Sequence, residues 1–388
     1  MISLGKKEKN MITIEKISIY HVSIPLKPPI VTSKKILNTK DCLIIHLKSS
    51  DNLEAWSECV ALSDDYYLPE TLSIAKKELI DLLIPKTLNK KIKSPKLFSN
   101  YLHSISSRNM AIASLEMGVW SLFSSQKNCY LGSLLGPIKE KVNSGIALSL
   151  GKDENKFIAQ LERALDNNYS RIKFKLSPKT DKRLVYLINT LNKKYDLNQF
   201  ELVLDANGAY SESNLSNLVS FCKPPITLIE QPFDKTDFKS TKILQSKLSI
   251  PVSLDESIET LEDLKRAISH KVATHITLKP GKLGGLTQTL KFIKICQKEG
   301  LNVCIGGMFE TDIGKAYNLA LSSLKTITQA GDLSDSYSYF DTCFTEPSLQ
   351  KNEAGFFSVP SHNNGLNIKI NEGLINQYSK EKLEFLIQ

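Results

Sequence analysis

The chain has no apolar run that approaches the length of a transmembrane helix. Its first ten residues, 1–10, are basic and polar and lack the apolar centre of a secretion signal. They read as a disordered leader, with Met11 as an alternative start. No Cys-x-x-Cys pair occurs among the seven cysteines, and several lie in apolar runs, as at Cys42 and Cys304. That excludes a disulfide framework and points to reduced core residues of a cytoplasmic protein. The six histidines are scattered without ligand spacing, which argues against zinc. Basic runs interleaved with aromatics are missing too. The net charge of +9, from 50 Lys and Arg against 41 Asp and Glu, therefore reads as a lysine-rich surface. Nucleic acid and membrane are not expected partners.

What is present is a large globular chain. With 388 residues and 41% hydrophobic content, it can bury one large core or two. Between 171 and 285, five short apolar runs each end in a charged residue: Lys175, Asp205, Glu230, Asp255 and Lys279. The intervals are 30, 25, 25 and 24 residues, each about one strand, one helix and two loops. Such alternation indicates βα units on a parallel sheet. The fold class expected is α/β, a (β/α)8-type barrel carrying an N-terminal α+β capping domain. In that barrel every strand's C-terminal end opens on one face, where the active site lies.

The residue types fit together chemically. Three carboxylates, Asp205, Glu230 and Asp255, suit a hard divalent cation, Mg²⁺ or Mn²⁺, and a bare cluster of them would repel. Lysines beside that cation, partly desolvated, are expected to have lowered pKa values suited to moving a proton. Any one of these charges alone is better explained as a structural ion pair; five in register are not.

Around these positions the chain carries Leu254-Asp255-Glu256-Ser257, Leu278-Lys279-Pro280-Gly281-Lys282-Leu283-Gly284-Gly285, Gly306-Gly307-Met308-Phe309-Glu310-Thr311 and Gly331-Asp332-Leu333-Ser334. With the Lys173-x-Lys175 pair, they resemble the muconate lactonising subgroup of the enolase superfamily. The resemblance is nearest to its o-succinylbenzoate synthase and N-succinylamino acid racemase family, from about Ile12 to the C-terminus. It implies an enolase-like modified barrel, Asp205, Glu230 and Asp255 as Mg²⁺ ligands, and Lys175 as general acid/base. Lys173 would support Lys175 by depressing its pKa, and Lys279 would face it across the substrate. Asn207, Gln231 and Glu256 would form a polar surround, Gly307 and Met308 would line the substrate, and Glu310 would be structural. The implied reaction is dehydration of 2-succinyl-6-hydroxy-2,4-cyclohexadiene-1-carboxylate, a step of menaquinone biosynthesis. Racemisation of N-succinylamino acids is the alternative, a dipeptide epimerase the third, and a non-catalytic binding relative the reading from another class. The sequence does not give the oligomeric state; the resemblance allows a homo-oligomer, because the family often forms symmetric assemblies.

The organisation expected is a capping domain over 1–136, the barrel over 137–338, and a segment over 339–388 that returns to the cap. The cap should open as an antiparallel meander (13–23, 42–48 and 55–60), with a mobile loop at 25–40 carrying Thr32 and Ser33. Helices should follow, one of them over 110–124. The eighth barrel strand is placed at 326–330. Four features depart from the family pattern and bear on the substrate: Lys282 where arginine is common, Lys179 after Pro178, the stretch 337–340 without an arginine, and the run 27–30.

Overall fold

The computed structural model describes residues 11–31, 36–360 and 364–387. The expectations for 1–10, Thr32 and Ser33 lie outside those residues. The chain opens with β1 (Ile12–Val31), β2 (Ile36–Ser49) and β3 (Glu54–Cys59), paired antiparallel in sequence order. Both faces of this sheet are covered. Ile17 and Ile19 join a helical cluster with Leu79 and Leu115, while Tyr20 and Val22 join another with Trp120 and Phe344. Helices α1 (Leu72–Glu78), α2 (Ile84–Thr87), α3 (Pro95–Ile105), α4 (Asn109–Gln126) and α5 (Leu131–Leu135) follow, with β4 (Lys91–Ile92) between α2 and α3 on β1. The helix expected over 110–124 forms as α4. It is buried from Met110 to Ser124 on every side, since the cap sheet holds one flank and barrel helices the other.

The barrel follows a short β5 (Lys141–Asn143). It runs β6 (Gly145–Ser149), α6 (Glu154–Asp166), β7 (Arg171–Lys175), α7 (Asp181–Tyr195), β8 (Glu201–Asp205), α8 (Leu215–Phe221) and β9 (Ile226–Glu230). Then come α9 (Phe238–Lys247), β10 (Val252–Leu254), α10 (Leu261–His270), β11 (His275–Leu278), α11 (Leu286–Lys298), β12 (Asn302–Ile305) and α12 (Asp312–Ser322). Strands β6 to β12 form one parallel sheet in sequence order. The period-two rule decides what faces where. On β7, Ile172 and Phe174 turn out against Phe157 and Leu184, and Arg171, Lys173 and Lys175 turn into the lumen.

Two expectations fail here. Residues 326–330 form no strand. The eighth place is taken by irregular backbone at 330–333, where the Asp332 amide donates to Ile305 O (3.0 Å) and the Gly145 amide to Leu333 O (2.8 Å). Glycine is needed at this seam, because a Cβ on Gly331 would stand 2.2 Å from Ile305 O. The expected loop at 25–40 is instead a hairpin arm within the described residues, with Pro25 opposite Thr39 and Ile30 opposite Leu37. The chain ends with β13 (Thr345–Glu346), β14 (Phe356–Ser358), β15 (Lys369–Ile370), α13 (Glu372–Tyr378) and β16 (Ser379–Leu386). β14 pairs with β5, and β16 pairs with β1 only from Lys16 to Val22. Beyond Val22 β1 has no ladder with β16 among the described residues, and the Lys27 amide donates instead to Tyr339 O (2.8 Å), so prolines there remove no bond of that ladder.

Candidate active site

The lumen holds a column of ion pairs. Deepest is Arg171, whose Nη1 donates to Glu201 Oε1 (2.6 Å) and Ala330 O (3.1 Å). Above it, Lys173 Nζ donates to Glu230 Oε1 (2.9 Å) and Asp332 Oδ2 (2.7 Å). At the rim, Lys175 Nζ donates to Asp205 Oδ2 (2.7 Å) and Asn207 Oδ1 (3.1 Å). On the other side, Asp255 Oδ2 lies 2.6 Å from Lys279 Nζ, and its Oδ1 takes Lys282 Nζ at 2.8 Å. Lys279 also donates to the Tyr67 hydroxyl (2.9 Å), which the cap lowers into the barrel mouth. Lys173, Lys175, Asp205, Asn207, Glu256, Lys279, Gly307 and Met308 all line one cavity.

Backbone register explains the convergence. Lys175 pairs with Asp205 and Asp205 with Glu230, so three strands present their last residue at one level. Asp255 follows Ser253, which pairs with Glu230. Gln231 fixes this turn: its Oε1 accepts from the Asp255 (3.0 Å) and Ser257 (3.1 Å) amides. Asn207 Nδ2 donates to Glu256 Oε1 (2.9 Å). Glu310 is structural here in a definite sense, accepting from the Met308 amide at 2.8 Å. Lys282, at the position where arginine is common, is fully buried and still reaches Asp255.

Lys173 and Lys279, expected to be lowered beside a cation, are set here by their carboxylate partners. Burial does push both down, but it is outweighed by Asp332, Glu230 and Asp205 around Lys173 and by Asp255 beside Lys279, and both stand above the usual lysine range. The sequence shows which charges share a face, not that each lysine is in contact with a carboxylate. Burial also raises Glu230. Asp332 is held down to about 2, because Lys173 and Arg171 overcome its burial.

As the side chains stand, no three His, Cys, Asp or Glu residues among the described ones are grouped to hold a metal ion. Asp205, Glu230 and Asp255 each turn onto an ammonium group instead. In donor type and register they fit a hard cation: three buried carboxylates on successive strand ends, already sharing positive charge at 2.6–2.9 Å. Among the cavity residues that sequence reasoning missed are four polar ones, Tyr67, Asp332, Lys315 and Tyr339. The Gly331-Asp332 pair was a usable signal for Asp332. The other three arrive from the cap or from beyond the barrel strands, and nothing local marks them.

Residues 156–374 match the family described as "Enolase C-terminal domain-like". The chain is 32% identical over 368 residues to an o-succinylbenzoate synthase of Bacillus subtilis, covering 95% of this chain and 97% of that one. It is 28% identical over 347 residues to an N-succinylamino acid racemase of Thermus thermophilus, covering 89% and 92%. A crystal structure of an enolase superfamily member from Listeria innocua superposes with a TM-score of 0.87 at 28% identity, covering 97% of this chain and all of that one.

Proposed function

The chain belongs to the enolase superfamily, and from that membership we propose that it removes a proton alpha to a carboxylate, as an o-succinylbenzoate synthase. The observation that carries the reading is the pair Lys175 and Lys279, brought from the ends of β7 and β11 into one cavity beside three buried carboxylates. Asp205, Glu230 and Asp255 would hold Mg²⁺, which supplies the positive charge that stabilises an enediolate. With that cation bound, the carboxylates would no longer act on Lys173 and Lys279 alone, and the field that raises those two would weaken. Lys175, at the rim between Asp205 and Asn207, takes the α-proton and then assists the departing hydroxyl. Lys279, pinned by Asp255 and Tyr67, places fixed positive charge on the opposite side. Tyr67 and Met308 cover the site and keep water from the carbanion.

Similarity to the synthase of B. subtilis ranks dehydration first. Racemisation of N-succinylamino acids is the second reading, because two lysines in one cavity also serve two faces of an α-carbon. Specificity constants on the cyclohexadiene carboxylate and on N-succinylamino acids decide between them. Efficient racemisation with negligible dehydration would reverse the order. Loss of turnover on chelation, restored by Mg²⁺, is expected in either case, and full activity without metal sinks both.

A further inference from the structure

The cavity wall holds a fourth lysine that the proton chemistry does not use. Lys315 lies in the first turn of α12, is 3% exposed, and lines the same cavity as Lys175 and Lys279. Its neighbours in the cavity are neutralised at contact: Lys173 by Glu230 and Asp332, Lys175 by Asp205, Lys279 by Asp255. Lys315 Nζ instead donates to a backbone carbonyl, Asp335 O, at 2.9 Å, and among the described residues no carboxylate reaches it at ion-pair distance. Rings lie further off, Tyr339 at 5.6 Å and Phe340 at 6.0 Å.

Four carboxylates act on Lys315 from nearby without contacting it, and each accepts hydrogen bonds elsewhere, Glu58 through Oε2 only, its buried Oε1 having no hydrogen-bond partner among the described residues. Glu310 accepts from the Met308 amide and Glu58 from Thr311. Asp312 accepts from the Phe344 amide, and Asp335 from the Tyr169 hydroxyl and the Lys351 amide. Burial lowers Lys315 from the ordinary lysine range, as a buried ammonium without a contact counter-ion requires. A buried charge without its partner is costly, and the usual resolution at a cavity wall is an anion supplied by the ligand. Lys40 shows the contrast: it is equally buried, but it bridges Met308 O and Val60 O and ties the hairpin arm to the barrel.

We infer that Lys315 receives the carboxylate at the far end of the substrate's succinyl arm, while the reacting α-carbon stays between Lys175 and Lys279. Phe309 and Tyr339, edge to face at 5.4 Å, would flank the methylenes of that arm. The inference rests on the proposed substrate class and names the residue that recognises it.

The test is calorimetric binding to the Mg²⁺-loaded protein of two probes, o-succinylbenzoate and the same molecule with its arm carboxylate converted to an amide. Wild type should prefer the diacid. Lys315→Met, which keeps the apolar stem, should weaken the diacid by about 10- to 100-fold and leave the amide within about twofold. Lys315→Arg should recover most of the loss. Equal weakening of both probes in Lys315→Met, or no weakening of either, overturns the inference. Dehydration assays on wild type separate the two levels. Turnover with no dependence on Lys315 removes only the anchor, whereas no turnover and no diacid binding remove the substrate reading and the anchor together.

Discussion

Lys175 and Lys279 are held differently, and that difference makes their substitutions informative. Lys175 sits at the rim, partly exposed, between Asp205 and Asn207. Lys279 is clamped between Asp255 and the Tyr67 hydroxyl, with its ammonium 4.7 Å over the Tyr67 ring. Arginine keeps the charge but does not deprotonate in a protein. Lys175→Arg should therefore lose at least about 10³-fold of any dehydration and of any racemisation, the scale of a removed general base. Lys279→Arg should keep measurable dehydration, down by about 10- to 100-fold for misfit, and lose racemisation entirely. Steady-state rates of both reactions in both variants check this. Near-normal dehydration in Lys175→Arg would place the base on another strand.

At the scale of elements, buried glutamates of the cap terminate barrel helices. Glu116 on α4 accepts from the Leu286 and Thr287 amides, both at 2.8 Å, at the start of α11, and from the Trp120 indole at 2.9 Å. Glu58 on β3 accepts from the Thr311 amide (2.9 Å) and hydroxyl, just before α12. A carboxylate at a helix N-terminus satisfies open amides and the dipole. Burial nonetheless raises Glu116 to about 7, above its unfolded value near 4.5. A raised acid favours the folded state in its protonated form. This contribution is full below about 4.5 and is lost as pH rises through 7, a swing of about 3 kcal/mol. Glu116→Gln removes the titration and, by turning an amide toward donors, leaves one of them unsatisfied. Its stability deficit against wild type, by urea unfolding, should be about 1–3 kcal/mol near neutral pH and should grow as pH falls from 8 to 5. A pH-independent deficit would mean that Glu116 does not titrate in this range.

How far these elements were legible depends on where their causes lie. The βα units between Lys175 and Lys279 were readable because each strand carries its own apolar run and terminal charge, both local. The eighth position was misplaced because what closes it is not a strand with a period but a glycine pressed against Ile305 O. The prolines of 25–40 suggest a loop, yet a hairpin arm forms, because proline is a breaker only where a neighbouring strand needs its amide, and β16 stops at Val22. Lys315 and Tyr67 reach the cavity from segments with no chemical signature, and the raised lysines follow from contacts a pattern of spacing does not contain.

For the molecule as a whole, the ion pairs with both partners buried gather inside the barrel. Adding Mg²⁺ to metal-stripped protein should raise the melting temperature by several degrees, as any ligand of the native state does. Asp205→Asn should shrink that shift, and an unchanged shift would place the cation elsewhere. The cap sheet closes through β16, which covers one edge of β1 from Lys16 to Val22. Deleting residues 379–388 exposes that edge, and a shift of the protein into aggregates on size-exclusion chromatography is the expected result.

The glycine seam gives the barrel a preferred line of opening. Seven strands are joined by ladders, but the circle is completed at 330–333 by short backbone contacts, the Asp332 amide on Ile305 and the Gly145 amide on Leu333. In deuterated buffer those two amides should exchange well before the amides of β8, which is paired on both sides. Because Asp332 is also the partner of Lys173, each such excursion would carry a counter-charge out of the lumen. The barrel's breathing and the electrostatics of its cavity are thus coupled through a single residue.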